Sequence, residues 1–149
     1  MNLKQELYKF CLSDVNRRLA ICEKAMSQIQ ESLASETKSS AGDKHETGRA
    51  MIQLEREQMG TQLAQIEAEK EILLKINPEN RHEMVRLGSL VFTSQHTYFI
   101  STSIGKISLK GKDSYALSIN SPIGQLLAGK RVGHKLNFRG EEIEILEIL

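Results

Sequence analysis

The sequence predicts an α+β protein, in which an N-terminal antiparallel coiled-coil helical hairpin precedes a small antiparallel β-sheet domain with one short helix. Two periodicities predict this fold class. Apolar residues recur at alternating spacings of four and three in the first half of the chain, and at spacings of two from Leu87 onward. Pro78, which a helix does not tolerate in its interior, stands between the two patterns. We therefore expect a hairpin with an acidic tip over residues 1–78 and a second domain over 84–149.

The first helix is predicted from a heptad stripe, the pattern that packs two helices together as a coiled coil. The apolar positions of the stripe are Tyr8, Leu12, Val15, Leu19, Cys22, Met26, Ile29 and Leu33. Polar residues fill most of the positions between them. A small and polar segment at 35–48 then interrupts the stripe.

The second helix is predicted from a weaker stripe with the same period. Its apolar members are Ile52, Met59, Leu63, Ile66 and Leu73, and Arg56 and Lys70 occupy two further seam positions. Two long helices joined by a short polar segment most economically form an antiparallel hairpin, here with its tip near residues 39–47. The alternative is a homodimeric coiled coil with a disordered middle segment.

The second domain is predicted from alternating apolar residues, which are typical of half-buried strands. The expected strands are 87–94, 96–101, a short one at 107–110, 115–120, and a closing hairpin of 134–139 and 141–149. Between them, Ser121 and Pro122 predict the N-cap and first position of a short helix. Gly129 predicts the end of that helix.

The composition argues against a secreted or membrane protein. No apolar run reaches the ~20 residues of a membrane span, and MNLKQELYKF at the N-terminus carries charge where a signal peptide is apolar. Cys11 and Cys22 lie about 16 Å apart if both belong to one helix, too far for a disulfide. We expect a reduced, cytoplasmic protein with no membrane partner.

No catalytic constellation is evident in the sequence. The histidines His45, His82, His96 and His134 lie in different segments, and none accompanies a Ser or Cys motif. The glycines in residues 105–113 lack the spacing of a phosphate-binding loop. The lysines of that segment are expected to keep an exposed sheet edge soluble.

The hairpin tip carries two carboxylates, Asp43 and Glu46, on either side of His45. Their spacing predicts a capping box, in which Asp43 caps the second helix and Glu46 reaches back to the cap. Alternatively, the tip delivers both carboxylates into a cavity of another molecule, where they help to hold a hard cation such as Mg²⁺. Two carboxylates are too few for a tight site, so the partner would supply further ligands.

The segment SINSPIGQLLAGKRVGHKLNF (118–138) resembles the C-terminal signature of the bacterial Gre transcription elongation factors, the GreA/GreB family. The matching residues are Ser121, Pro122, Ile123, Gly124, Leu127, Gly129, Lys130, Val132 and Gly133. A second family landmark, Gly-Asp-x-x-Glu at the tip of an N-terminal helical hairpin, is matched by Gly42, Asp43 and Glu46. The order of parts agrees with the family over almost the whole chain.

The resemblance implies an FKBP-like C-terminal domain that binds RNA polymerase at the rim of its secondary channel. The hairpin would enter the channel, where Asp43 and Glu46 would help to hold a Mg²⁺ ion shared with the polymerase, the ion used to cleave backtracked RNA. His45 and Arg49 would then contact RNA or polymerase near the tip. The protein would be a monomer and not an enzyme itself, with an indirect relation to the RNA 3′ end and an association with DNA.

Several positions depart from the family pattern. The family usually continues after the tip with Asn-Ala-Glu-Tyr, where this chain has Thr47, Gly48, Arg49 and Ala50. Arg49 would weaken Mg²⁺ binding or contact an RNA phosphate, and Gly48 predicts a later start of the second helix. His134 replaces an Asp, and the Arg-Pro element before the tip is missing. These departures favour an alternative, a Gre-like channel regulator without cleavage activity.

Two further function classes stay open. A coiled-coil interaction or dimerisation protein would have a mass in solution of at least twice 16.8 kDa. A prolyl isomerase would need an apolar pocket built from the aromatic residues of the second domain. The available residues are Phe92, Tyr98, Phe99, Tyr115 and Phe138.

Overall fold

The structure is a computed structural model that describes residues 1–38 and 43–149, except for the side chains of 37, 38 and 43–46. It contains a long N-terminal helical hairpin, and the predicted α+β fold class is confirmed. Helix α1 runs over Leu3–Lys38 and helix α2 over Asp43–Leu74. The predicted tip at 39–47 lies partly outside the described residues.

The chain divides into two compact units. One consists of Asp14–Lys70, and the other combines Met1–Ser13 with Glu71–Leu149. Both helices therefore contribute residues to each unit. We describe the two units separately.

In the unit Asp14–Lys70, α1 and α2 pair in an antiparallel direction. The Arg18 guanidinium donates a hydrogen bond of 2.5 Å to Glu69, and the Met26 methyl lies 3.8 Å from the place where a Cβ on Gly60 would stand. The buried apolar side chains of the seam are Val15, Cys22, Ile29 and Ile66. They belong to the two heptad stripes, so the prediction of a helical hairpin is confirmed.

In the other unit, the described residues form six strands in one sheet, with the order β3-β4-β2-β1-β6-β5. The strands are β1 Leu90–Thr93, β2 Thr97–Ile100, β3 Gly105–Leu109, β4 Lys112–Leu117, β5 Lys135–Phe138 and β6 Glu141–Ile148. Helix α3, Pro122–Leu127, lies between β4 and β5 in the chain. Each strand overlaps a range that the period of two predicts.

The sheet is mostly antiparallel, but β2 and β4 pair in parallel, with Tyr98 opposite Tyr115 and Ile100 opposite Leu117. Strand β3 lies at the sheet edge and pairs with β4 through a tight hairpin. Its two turn residues, Lys110 and Gly111, have φ values of 51° and 76°, as a two-residue hairpin turn of type I′ requires. The edge position of β3 agrees with the solubilising role expected for Lys106.

The core lies where α3 covers one face of the sheet. Its buried members are Val85, Val91, Tyr98, Ile100, Ile123, Leu127, Ile143, Ile145 and Ile148. Leu90 and Phe99, which alternate with this set along β1 and β2, are fully buried as well. Both faces of the central strands are therefore covered.

The first turns of α1 belong to the same unit as the sheet and are buried more broadly than the heptad stripe predicts. The Tyr8 hydroxyl donates to the Leu73 carbonyl oxygen of α2 at 3.0 Å. Leu7 and Cys11, outside the stripe, are fully buried, and the Cys11 sulfur lies 4.0 Å from the Ser101 hydroxyl. The start of α1 thus has two contact faces, one toward α2 and one toward the sheet.

Within the described residues, no helix combines the length and the apolar character that crossing a lipid bilayer requires.

Candidate functional site

The end of the hairpin is the first candidate site, because the sequence places two carboxylates there. Asp43 is the first residue of α2. The side chains of Asp43, His45 and Glu46 lie outside the described residues, and so does the capping box predicted for this pair. The backbone nevertheless places the whole Asp-x-x-Glu segment in the first turns of α2.

Glu36 and Gly48 face each other across the hairpin next to this segment. A Cβ on Gly48 would lie 3.6 Å from both carboxylate oxygens of Glu36, an ordinary contact distance. The expectation that Gly48 delays the start of the second helix is wrong, since α2 begins five residues earlier, at Asp43. The conformational cost of glycine, about 1 kcal/mol, is smaller than the stabilisation that the paired helix provides here. Arg49, the next residue, is half-buried.

The C-terminal signature is the second candidate site, and the structure gives its first residues a folding role. Ser121 is the N-cap of α3, and its hydroxyl accepts a hydrogen bond from the Gly124 N–H at 3.1 Å and donates to the Ser118 carbonyl at 2.6 Å. Pro122 occupies the first helical position, as predicted. A Cβ on Gly124 would lie 2.3 Å from the Ser118 carbonyl oxygen, so no other residue fits at that position.

The later signature residues shape the chain after α3. Gly129 follows the C-cap with a φ of 77°, and its N–H donates to the Val85 carbonyl at 2.8 Å. The Lys130 carbonyl accepts from the Val85 N–H at 2.9 Å, while the Lys130 side chain is exposed. Gly133, with a φ of 91°, donates to Ile145 at 2.8 Å. Glycine is required at positions 129 and 133 because residues with a side chain rarely adopt such φ values.

His134, which replaces the Asp of the family pattern, keeps a backbone contact that an Asp also makes in such turns. The Arg131 N–H donates to the His134 ring nitrogen Nδ1 at 2.8 Å. A carboxylate oxygen accepts equally well from a nearby backbone N–H. The ring is exposed, which agrees with the expectation of a minor surface change.

Exposed side chains on this segment form a candidate contact surface. Leu126 on α3 is 38% exposed and Val132 is 57% exposed. Lys130 and Arg131 lie between them in the chain, and Arg131 forms an isolated β-bridge with Met84, itself 42% exposed. The surface thus combines apolar and basic side chains, a composition that suits a partner with acidic and apolar groups.

The same unit contains a cluster of cationic side chains, Lys4, Arg81 and Arg86, that the sequence does not predict as a site. The Lys4 ammonium is buried and donates to the Asn80 carbonyl at 2.6 Å. Burial and the charges of Arg86 and Arg81 lower the pKa of Lys4 to about 8. The only sequence signal is the run of charges at 79–86, since Lys4 is distant from it in the chain.

His82 belongs to this cluster and is neutral at pH 7. Burial, followed by the charges of Lys4 and Arg86, lowers the pKa of His82 to about 4. Its Nδ1 lies 2.7 Å from the buried Ser89 hydroxyl, which accepts from the Arg86 N–H at 2.9 Å. The Ser89 hydroxyl, which accepts from the Arg86 N–H, can donate to Nδ1 when the ring proton of His82 is on Nε2.

The aromatic residues of the second domain are partly in the core. Phe99 is fully buried and Tyr98 is 6% exposed, and burial together with the neighbouring Tyr115 raises the pKa of Tyr98. These two side chains therefore line the core of the sheet. Over the ranges that the structure describes, no group of three or more His, Cys, Asp or Glu residues is placed to hold a metal ion.

Compared with models of protein families and with curated proteins, the chain matches none of them.

Proposed function

We propose that the protein is a Gre-like elongation factor that binds RNA polymerase, inserts its hairpin tip into the polymerase secondary channel and stimulates cleavage of backtracked RNA. The observation that carries the proposal is the Asp43-x-x-Glu46 pair at the start of α2, the second helix of a long helical hairpin. A helical hairpin suits entry into a channel, and an acidic pair at the start of its second helix suits a metal-dependent reaction there.

The second domain supports the proposal through its signature. Ser121, Gly124 and Gly129 of the family pattern each meet a demand of the α3 segment, by capping, by close packing and by a positive φ. A chain that satisfies the family's folding requirements at these positions is expected to build a similar domain. Its contact surface around Lys130 and Val132 is then the part that meets the polymerase.

Asp43 and Glu46 fit a shared Mg²⁺ ion in their chemistry but fall short of it in number. Mg²⁺ prefers carboxylate oxygens in an octahedral arrangement, so the polymerase must contribute the remaining ligands. When bound, the ion orients and activates the water that attacks the RNA phosphate. The role of this chain is to bring two negative charges to that position, without an active site of its own. Such a factor works as a monomer in the bacterial cytoplasm.

A second candidate function, occupation of the channel without cleavage, is favoured by Arg49. This cation lies three residues after Glu46 on the same helix. A positive charge there opposes Mg²⁺ binding by the acidic pair. The same charge can contact an RNA phosphate and keep the hairpin bound without supporting hydrolysis.

Cleavage of a stalled, backtracked elongation complex with the polymerase of the source organism tests the proposal. Wild type is expected to stimulate cleavage, and Asp43→Asn/Glu46→Gln is expected to lose about tenfold or more of the stimulation because it removes both charges. Glu55→Gln/Glu57→Gln is the matched control, since these exposed acids lie on the same helix. The control should cleave as wild type does.

Binding to the polymerase is measured in the same samples and separates the two candidates. Intact binding without stimulated cleavage supports the regulator, and Arg49→Glu should then restore measurable cleavage. Absence of binding contradicts both candidates. A solution mass of twice 16.8 kDa in that case indicates the dimerisation protein instead.

A further inference from the structure

An open pocket in the unit that holds the sheet is surrounded by arginines. It has a volume of about 280 Å³ and is lined by Arg81, His82, Glu83, Met84, Arg86 and Arg131. The β-bridge between Met84 and Arg131 joins the two chain segments that form its wall. Backbone pairing therefore fixes the distance between these segments, whatever the pocket contains.

The positive charge of this arginine pocket is not balanced within the described part of the chain. Arg131 pairs with Glu83 at 3.7 Å, whereas Arg81 and Arg86 form no ion pair with any described residue. His82 adds no charge at pH 7, because its pKa is about 4. The charges of these two guanidinium groups are thus not neutralised by any described carboxylate.

Lys4 adds a third positive charge close to the pocket. Its side chain is 2% exposed, and among the described residues its ammonium, which has three donors, meets one acceptor, the Asn80 carbonyl oxygen. The positive charges of Arg86 and Arg81 repel the Lys4 ammonium. Since the protein as a whole has a net charge of only +1, this concentration of charge is local.

We propose that the arginine pocket binds a phosphate group, supplied by a free inorganic anion or by a nucleotide. Guanidinium groups match the oxygens of phosphate through paired hydrogen bonds. A volume of about 280 Å³ lies just below the usual range of pockets for drug-sized ligands and suits a small group. A phosphate also carries more negative charge than a single carboxylate, and so balances Arg81 and Arg86 together.

Titration of the isolated full chain with pyrophosphate at low ionic strength tests this proposal independently of any polymerase. We expect saturable binding, with amide chemical-shift changes concentrated at residues 81–86 and at Arg131. Arg81→Gln/Arg86→Gln should weaken the affinity by about tenfold or more, because it removes two charge-assisted contacts. Both side chains are exposed, so the variant should fold, and its circular dichroism spectrum checks this.

Lys112→Gln/Arg139→Gln is the matched control, with the same loss of charge at two exposed hairpin positions. It should change the affinity less than twofold. Failure to saturate at millimolar pyrophosphate overturns the proposal, as does equal weakening by the two double variants. Acetate that binds as tightly as pyrophosphate also overturns the assignment to phosphate.

A parallel titration with ATP distinguishes the two sources of phosphate. Equal affinity for ATP and pyrophosphate indicates that the pocket recognises the phosphate alone. Tighter binding of ATP, with further shift changes outside the pocket, indicates a nucleotide. With either result, Arg81→Gln/Arg86→Gln should weaken the binding of both ATP and pyrophosphate.

Discussion

The Lys4 side chain is buried near the start of α1, where its ammonium donates to the Asn80 carbonyl oxygen and faces the charges of Arg86 and Arg81. A single hydrogen bond contributes about 1 kcal/mol. Burial and repulsion lower the pKa of Lys4 from 10.5 to about 8. The free energy needed to keep the buried side chain charged is therefore larger than the stabilisation from its hydrogen bond. Lys4 destabilises the folded protein at neutral pH.

Lys4→Met is expected to raise the free energy of unfolding at pH 7 by about 2 kcal/mol. Between pH 8 and 10.5 the unfolded wild type holds a proton that the folded protein has lost, so wild-type stability rises with pH. The advantage of the variant should accordingly shrink by about 2 kcal/mol between pH 7 and pH 9.5. Urea denaturation at both pH values measures this difference.

Lys112→Met serves as the comparison, because Lys112 is exposed in a hairpin strand. It should not reproduce the stability advantage that Lys4→Met has over wild type at pH 7. Parallel pH profiles for wild type and Lys4→Met would show that the Lys4 ammonium is not destabilised in the folded protein.

At the residue scale, the sequence predicts the role of a residue when that role depends only on its neighbours in the chain. Ser121 and Gly129 are identified correctly because a cap and a left-handed residue are demands of a single helix. Lys4 could not be identified, since its partners are 76 or more residues away in the chain. The side chains of Asp43 and Glu46 lie outside the described residues, so their metal role stays a prediction.

Helix α2 contains a glycine that its packing does not require. Gly60 faces Met26, and a Cβ there would meet the Met26 methyl at 3.8 Å, an ordinary contact distance. Gly60→Ala should therefore stabilise the protein by about 0.5–1 kcal/mol, because alanine restricts the unfolded chain and favours helix. Thermal denaturation followed at 222 nm measures the change.

The contrasting substitution is Gly124→Ala in α3. Its Cβ would stand 2.3 Å from the Ser118 carbonyl oxygen, a distance that requires the backbone to move. We expect a loss of about 3 kcal/mol there. Equal effects at the two positions would contradict the packing argument for both.

At the element scale, periodicity predicts the type of each element but not every pairing. The heptad stripes and the alternation after Leu87 correspond to the helices and strands that are observed. The parallel pairing of β2 and β4 has no local signal, because it depends on β3 lying at the outer edge of the sheet. The heptad stripes also do not predict the burial of Leu7 and Cys11. A heptad stripe marks only the face of a helix that packs on its partner helix, and these two residues lie outside it.

The whole molecule contains a unit that is discontinuous in sequence, with Met1–Ser13 and Glu71–Leu149 together. A fragment of residues 84–149, the expected second domain, lacks four apolar side chains that are buried in this unit of the full chain, namely Leu7, Cys11, Leu73 and Ile76. Burial of a large apolar side chain stabilises by about 1.5–3 kcal/mol. The fragment should therefore be less stable than the full chain by several kcal/mol.

Methyl resonances of Ile143 and Ile145 follow the unfolding of the sheet in both proteins. A matched control joins residues 1–13 to 71–149 through a flexible Gly/Ser linker, which keeps the whole unit and omits Asp14–Lys70. The control should retain most of the stability of the sheet. If the fragment 84–149 melts with the full chain, the first turns of α1 contribute nothing to the sheet.

The contact between Cys11 and Ser101 also has a consequence for synthesis on the ribosome. The two residues are 90 positions apart in the sequence. Because chains grow at about 5–20 residues per second, Ser101 is synthesised roughly 5–18 seconds after Cys11. During that interval the apolar start of α1 is a nascent surface open to chaperones. Pairing with α2, complete once Leu74 has emerged, shields part of it before the sheet exists. The order in which the chain is made thus favours closing the hairpin first and adding the sheet to it.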